Sequence, residues 1–453
     1  MSERGPELGA ADSRAARPNI VFIFADDWGW GDLSCHSHPW LKTPNIDRLA
    51  AQGADFNQFT VASGVCSPSR AAVLTGHFPA RHFVHGHYAT VSSHERRDMQ
   101  DWLDPQSVLL PRLLQDAGYA TAHFGKWHLT NVMVSDAPPA GDYGYDVYGT
   151  FNGAGEQMPV HEDVERSIAF IEQSAAAAKP FFLNLWIHEP HTPFYPLPEY
   201  MQQFEALDEP EQIYAATLAH ADARIGELLD TLERLGLTDG TLVIFSSDNG
   251  PEEVHRGQRL LDDEATGAGV GAMACVGSTG GHRGRKRSLL QGGVGVPFIA
   301  KWPGIIAAGV VDDRSPITAV DLLPTFCALA NAPLPTGYVP DGLDQAAALC
   351  GESSCERVKP IFWEWREAGD GDHWPLYAVR DGRWKLLLGR EPGQVELFRF
   401  PEDRLERRDM SAEYPEVVQA LSAKIDAWLS GLPQVADSKC FSVQRAESDA
   451  AGQ

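Results

Sequence analysis

Residues 19–27 read NIVFIFADD, and whether that apolar run is strand or helix decides the fold. Five consecutive large apolar residues, three of them β-branched, are too few for a helix and fit a strand buried on both faces. The same texture returns in TAHFG (121–125), PFFLNLWI (180–187), TLVIFSS (241–247) and VGVPFIAKWPG (294–304). Segments of helical period separate these runs: TPNIDRLAAQG (43–53), SVLLPRLLQDAGY (107–119), VERSIAFIEQSA (164–175) and IYAATLAHADARIGELLDTLERLG (213–236). In the first of them Thr43 is placed as N-cap, Pro44 at the first helical position and Gly53 past the end. AVDLLPTFCALA (319–330) is a further helix. Strands alternating with helices predict an α/β protein whose central sheet, mostly parallel or mixed, is sandwiched by helices.

After DGLD (341–344) the texture changes. PIFWEW, LYAVRDGRWKLLLG and VELFRF are short strands, with Asp381-Gly382 as a hairpin turn signal, and YPEVVQALSAKIDAWLSGL (414–432) is a helix. The expected division is a disordered lead-in at 1–17, a catalytic domain at 18–345, a small antiparallel sheet with its helix at 346–434, and a frayed polar tail at 435–453.

The chain has 453 residues and a formal net charge of −25, which argues against general nucleic-acid binding. An acidic chain that takes an anion needs its positive charge concentrated locally, and GGHRGRKRS (280–288) is such a concentration. No run of about 18 apolar residues is present, so no membrane span is expected. The polar start lacks the apolar core of a secretory signal, so the chain reads as soluble: cytoplasmic as written, or extracytoplasmic after loss of a leader. Seven scattered cysteines make no CxxC pair and no disulfide framework. Cys350 and Cys355 are spaced to bridge a short loop, and a reduced pair fits equally.

In open α/β sheets, ligands bind beyond the carboxyl ends of the strands. Asp26 and Asp27 follow the first strand, Lys126-Trp127-His128 the second, His188-Glu189-Pro190-His191 the third, and Asp248-Asn249-Gly250 the fourth. Asp26, Asp27, Asp248 and Asn249 are hard oxygen donors suited to Ca²⁺ or Mg²⁺ rather than zinc. Facing carboxylates repel unless a cation joins them, although Asp26-Asp27 alone also reads as a turn. The stretch GVCSPSRAAVLTG (64–76) places Ser67 as a cap and Pro68 at the first helical position. Cys66 then lies at the positive end of a helix with Arg70 a turn further on, an arrangement that favours an anion. The alternatives at this point are a buried structural thiol and a thiol phosphatase loop, which needs a longer spacing from cysteine to arginine.

The blocks CSPSRAAVLTG, GYATAHFGKWH (118–128), FADDWGWGDL, HTPF and SSDNG occur in one order along the chain. With them the chain resembles the type I, formylglycine-dependent sulfatases of the alkaline phosphatase superfamily, densely over residues 18–345. The resemblance implies that a formylglycine-generating enzyme oxidises Cys66 within the segment that also carries Ser67, Pro68, Arg70 and Thr75-Gly76. The aldehyde hydrates to a gem-diol; one hydroxyl attacks sulfur and expels the alcohol, and the other drives the collapse that restores the aldehyde. It further implies that Asp26, Asp27, Asp248, Asn249 and the modified Cys66 hold the cation. Arg70 and Lys126 then neutralise the diol and sulfate, and His128 orients the diol and takes its proton. His191 binds sulfate and supplies an acid to the leaving oxygen.

Lys286 matches the family's second sulfate-binding lysine, although Gln291 and Gly295 stand where glutamate and arginine are usual. His188, His282, Arg283 and Arg285 are added as candidate substrate contacts, with Arg287 completing a positive collar. The run between Asn249 and Lys286 is expected to be a long flexible loop that shapes access. Trp28, Trp102, Trp363 and Trp365 are candidate sugar platforms, with core packing the commoner fate of such residues. The expected substrate is a sulfated small molecule or glycan, the closest likeness being N-acetylgalactosamine-6-sulfatase and arylsulfatase-like members. The competing readings are a phosphonate monoester or phosphodiester hydrolase, and a non-catalytic binder of sulfated glycans.

Overall fold

A computed structural model describes residues 17–151, 160–253, 260–263, 267–352, 357–366 and 374–445. The large sheet is built from β1 (Asn19–Ala25), β2 (Ala54–Phe56), β3 (Ala120–Lys126), β4 (Val147–Phe151), β5 (Phe181–Trp186) and β6 (Thr241–Ser247). After a short antiparallel hairpin, β7 (Leu260–Asp263) and β8 (Gly267–Val270), it is completed by β9 (Phe298–Lys301) and β10 (Val310–Asp312). Its order is β10-β2-β9-β6-β1-β5-β3-β4. β1 runs parallel to both β5 and β6, and β3 parallel to β5 and β4. β9 enters antiparallel to β6 and β2, so the sheet is mixed at that edge.

Side chains of a strand point alternately to opposite faces, and after Asn19 β1 obeys this with nothing polar on either side. Ile20, Phe22 and Phe24 enter one core with the helices Cys66–Thr75, Leu110–Asp116 and Leu322–Leu329. Val21, Ile23 and Ala25 enter the other with Pro44–Ala51, Val160–Ala176 and Glu209–Arg234. The continuous apolar run of β1 is therefore the signature of a strand covered twice.

A second sheet is wholly antiparallel, in the order β11 (Ile361–Glu364), β12 (Tyr377–Asp381), β13 (Trp384–Leu388), β14 (Val395–Arg399). Val379, Leu386 and Leu397 on one face meet Leu421 and Ile425 of the helix Pro415–Ser430. The other face joins the main core through Trp363, Leu387 and Phe398.

Several local expectations are corrected. Thr43 stands at the N-cap position with Pro44 next, but its hydroxyl donates to Asp47 rather than accepting from a helix amide. The helix of the CSPSR stretch begins at Cys66, with Val65 as N-cap, and the Ser67 hydroxyl accepts instead from the Tyr88 amide. The β12–β13 turn centres on Gly382-Arg383, with Asp381 paired to Trp384 and Gly382 at φ +54°. The run after Asn249 contains the β7–β8 hairpin, and Val270 bridges to Phe194. The tail is docked as far as Arg445, with Cys440 buried. Trp28, Trp102, Trp363 and Trp365 are all core residues, no more than 6% exposed, which removes them as sugar platforms. Cys355 lies outside the described residues. Among the described residues, no helix is long and apolar enough to cross a membrane.

Candidate active site

β1 and β6 are neighbours in register from Asn19↔Thr241 to Ala25↔Ser247. Their carboxyl ends therefore release Asp26-Asp27 and Asp248-Asn249 side by side. The Asp27 amide donates to Asp248 Oδ1 at 3.2 Å, and Asn249 Nδ2 donates to Asp27 Oδ1 at 2.6 Å. The helix Cys66–Thr75 enters from the next layer, and one ligand atom each of Asp26, Cys66 and Asp248 fall within 4.8 Å of one another.

Three cations meet the three carboxylates. Arg70 grips Asp248 Oδ2 through Nη2 at 2.7 Å and Nε at 3.0 Å, and its Nη2 lies 3.9 Å from Asp26. Lys126, at the end of β3, donates to Asp26. Lys286 reaches Asp27 Oδ2 at 2.7 Å and lies 3.4 Å from Glu252. All are buried. Burial pushes the Asp26 carboxyl up, but His191, Lys126, Arg70 and Lys286 together hold it well below the usual range. Asp27 is carried the other way, to about 7, by burial with only partial relief from Lys286. Asp248 is also raised, first by burial and then by Asp26. One carboxylate is stabilised and its two neighbours are frustrated, as expected of a cluster built around additional positive charge.

The fit to a hard cation rests on two oxygens. Asp26 Oδ1 and Asn249 Oδ1 are fully buried without a hydrogen-bond partner, a cost that coordination removes. The donor set of Asp26, Asp27, Asp248 and Asn249 is all oxygen and suits Ca²⁺ or Mg²⁺. Three of the nine described non-glycine residues with positive φ lie here: Asp27, His128 and Arg287, at 66°, 50° and 68°.

The histidines divide. His128 Nε2 donates to the Tyr88 carbonyl at 2.9 Å, and burial keeps the ring neutral, so its lone pair is on Nδ1. His191 Nδ1 donates to the Thr192 carbonyl at 2.6 Å, and its Nε2 lies 3.8 Å from Asp27. The His191 side chain is 27% exposed, which puts it at the rim. His188 is deeper, 3.9 Å from Asp26, with burial lowering it to about 3.

The basic collar is not brought to the site. Arg283 binds Glu396 at 2.8 Å and the Glu406 carbonyl at 2.9 Å, tying this segment to the small sheet. Arg285 donates to the carbonyls of Glu252 and Gly277. His282 lies buried, edge-on to Trp30. The guanidinium groups of Arg283 and Arg285 are committed to holding the loop that presents Lys286, and Arg287 binds Glu252. Two residues near the site escaped the sequence reading. Glu252 links Lys286 and Arg287, and its only signal was its position just past the DNG block. His87 has its ring 6.3 Å from that of His128 and feels Lys286, Arg287 and Lys126; nothing in its spacing marked it.

The sulfatase family profile matches residues 18–332. Arylsulfatase A of Homo sapiens is 33% identical over 420 residues, covering 83% of this chain and 76% of that one. N-acetylgalactosamine-6-sulfatase of Canis lupus familiaris is 32% identical, covering 86% and 75%. Among solved structures, Ps i-CgsB in complex with k-i-k-neocarrahexaose is similar, with a TM-score of 0.77 at 25% identity, covering 91% and 92%.

Proposed function

The chain belongs to the sulfatase family and is an enzyme that hydrolyses sulfate esters, and from that premise we propose a formylglycine-dependent, cation-assisted sulfatase acting on a sulfated carbohydrate. The observation that carries the reading is the buried cluster itself, where the carboxylates of Asp26, Asp27 and Asp248 are matched one for one by Lys126, Lys286 and Arg70. Such a cluster is close to neutral alone. A divalent cation, calcium by preference, held by Asp26, Asp27, Asp248 and Asn249 supplies Lewis-acid charge against the ester oxygens. The site then becomes positive inside an acidic molecule, which is what an anionic substrate requires.

Cys66 is the proposed precursor of the formylglycine, made by a formylglycine-generating enzyme; hydrated, that group supplies the hydroxyl nucleophile. Arg70 and Lys126 hold the nucleophile's end of the sulfate, and Lys286 the far side. His128 Nδ1 takes the proton from residue 66, its ring fixed by the Nε2 bond to Tyr88. His191, at the rim, is the acid proposed for the leaving oxygen: its Nδ1–H is held by the Thr192 carbonyl and burial lowers the ring, so Nε2 takes up a proton before it passes one on. His188 is a supporting contact rather than the acid. The carbohydrate assignment rests on the names of the relatives, N-acetylgalactosamine-6-sulfatase and the neocarrahexaose-bound structure.

The test combines intact mass with turnover on regiodefined sulfated monosaccharides, aryl sulfates and matched phosphate esters, with calcium present. The expected result is a mass below that of the thiol form, with sulfate hydrolysis in proportion to conversion. An active chain that keeps the thiol mass overturns the nucleophile. Preference for phosphate esters overturns the sulfate assignment, and hydrolysis of aryl sulfates alone overturns only the carbohydrate.

A further inference from the structure

The docked tail is connected to His128 through an unbroken set of hydrogen bonds. Arg445 donates to both oxygens of Asp101, from Nε at 2.6 Å and Nη2 at 3.0 Å. The Ser442 amide adds a third bond to Asp101 at 2.7 Å, and the Asp101 amide returns one to the Cys440 carbonyl at 2.9 Å. Asp101 Oδ1 accepts from His94 Nδ1 at 2.7 Å. That fixes the tautomer of His94, because its Nε2 must accept from the Ala89 amide at 2.7 Å. Ala89 adjoins Tyr88, and it is the Tyr88 carbonyl that accepts from His128 Nε2. The Tyr88 amide donates to Ser67, beside Cys66.

A second route runs through the segment after His128. The Ser442 hydroxyl and the Val443 amide donate to Asp136 at 2.6 and 2.9 Å, and the Ser135 amide donates to Gln444 at 3.1 Å. Cys440 packs with Val91, Trp102 and Val134, which closes the two routes into one body.

We propose that residues 440–445 form a positioning strap for His128, with Arg445, Asp101 and His94 as positioning residues that act through the Tyr88 carbonyl. The inference rests on the proton-transfer role given to His128 above. The bonds of the strap run to Asp101 and Asp136 rather than to the carboxylate cluster. The strap sets the angle of a ring whose Nδ1 has to meet one proton, and a displacement of that kind lowers the rate of the bound complex more than it weakens binding.

The test is steady-state kinetics of the full chain on an aryl sulfate, with melting temperatures recorded alongside. Arg445→Ala is expected to lower kcat about tenfold with KM held within about twofold, and Arg445→Lys to recover most of the loss. Combined with His128→Ala, Arg445→Ala is expected to add nothing, because its effect passes through the ring that is gone. A lower melting temperature with kcat intact overturns the strap, as does an equal loss of kcat in both backgrounds. If His128→Ala alone leaves kcat intact, the role of His128 itself falls, and the strap with it. Loss in His128→Ala without loss in Arg445→Ala removes the strap and leaves His128 in place.

Discussion

Glu252 shows how single residues at this site are tuned by their neighbours rather than by type. Burial raises its carboxyl, but Lys286 and Arg287 more than reverse that and bring it from an ordinary 4.5 to about 2. A carboxylate whose folded value is depressed adds stability that is complete above 4.5 and lost as the pH falls toward 2. Replacement by glutamine, which cannot titrate, is therefore expected to lower stability at pH 6. It is also expected to flatten the acid decline between pH 4.5 and 2, read from urea midpoints. An unchanged slope in Glu252→Gln would separate this carboxylate from the stability of the Lys286 loop. The same tuning explains what the sequence showed at residue scale. That Asp26, Asp27, Asp248, Asn249, Cys66, Arg70, Lys126 and Lys286 lie together was legible because strand ends and short signatures deliver them. Arg283 and Arg285 were misread because a guanidinium's partner, here Glu396 or a backbone carbonyl, is far away in sequence.

The helix Cys66–Thr75 carries the proposed nucleophile position on its first turn and Arg70 on the next, with every residue of the helix buried. Its end depends on Gly76, whose φ of +62° lets the chain turn and whose amide closes onto the Ala72 carbonyl. A Cβ there would come within 2.9 Å of the Tyr338 hydroxyl and 3.1 Å of Leu323. Gly76→Ala is expected to cost about 1–3 kcal/mol, measured by equilibrium unfolding, from the disfavoured backbone region together with the contact. A loss under about 0.5 kcal/mol would mean that this end of the helix yields. At this scale the sequence located the helix and misjudged its first residue. Ser67 and Pro68 are both strong start signals, and the Tyr88 amide, 21 residues on, claims the Ser67 hydroxyl first. Local capping chemistry cannot anticipate a tertiary partner. The pairing of β7 with β8 was missed for the related reason that LLDD and GAGV lack an alternating pattern.

The two sheets are joined by polar links as well as by core. Lys385 of β13 is buried against Glu406 at 2.6 Å, and the other oxygen of Glu406 accepts from the Gln291 amide at 2.7 Å. The small sheet therefore braces the segment that carries Lys286. Removing one partner of a buried pair leaves an uncompensated charge, so Lys385→Met is expected to lower stability by about 3–5 kcal/mol, seen as a fall in the urea midpoint. An unshifted midpoint would show the pair to be solvated. Texture and turn signals made this sheet readable, and its role as a brace was not, because Lys385 and Gln291 are distant in sequence.

The placement of β1 between β5 and β6 also sets a clock. On the ribosome, the strand that bears Asp26 waits for both partners, and Cys66, 3% exposed once they arrive, is then closed to any macromolecule. About 175 residues separate that cysteine from the start of β6, which at roughly 5–20 residues per second leaves on the order of ten to thirty seconds of open access. On the proposed conversion of Cys66, the oxidising enzyme has to finish its visit within that interval of synthesis, or work on a chain kept from folding.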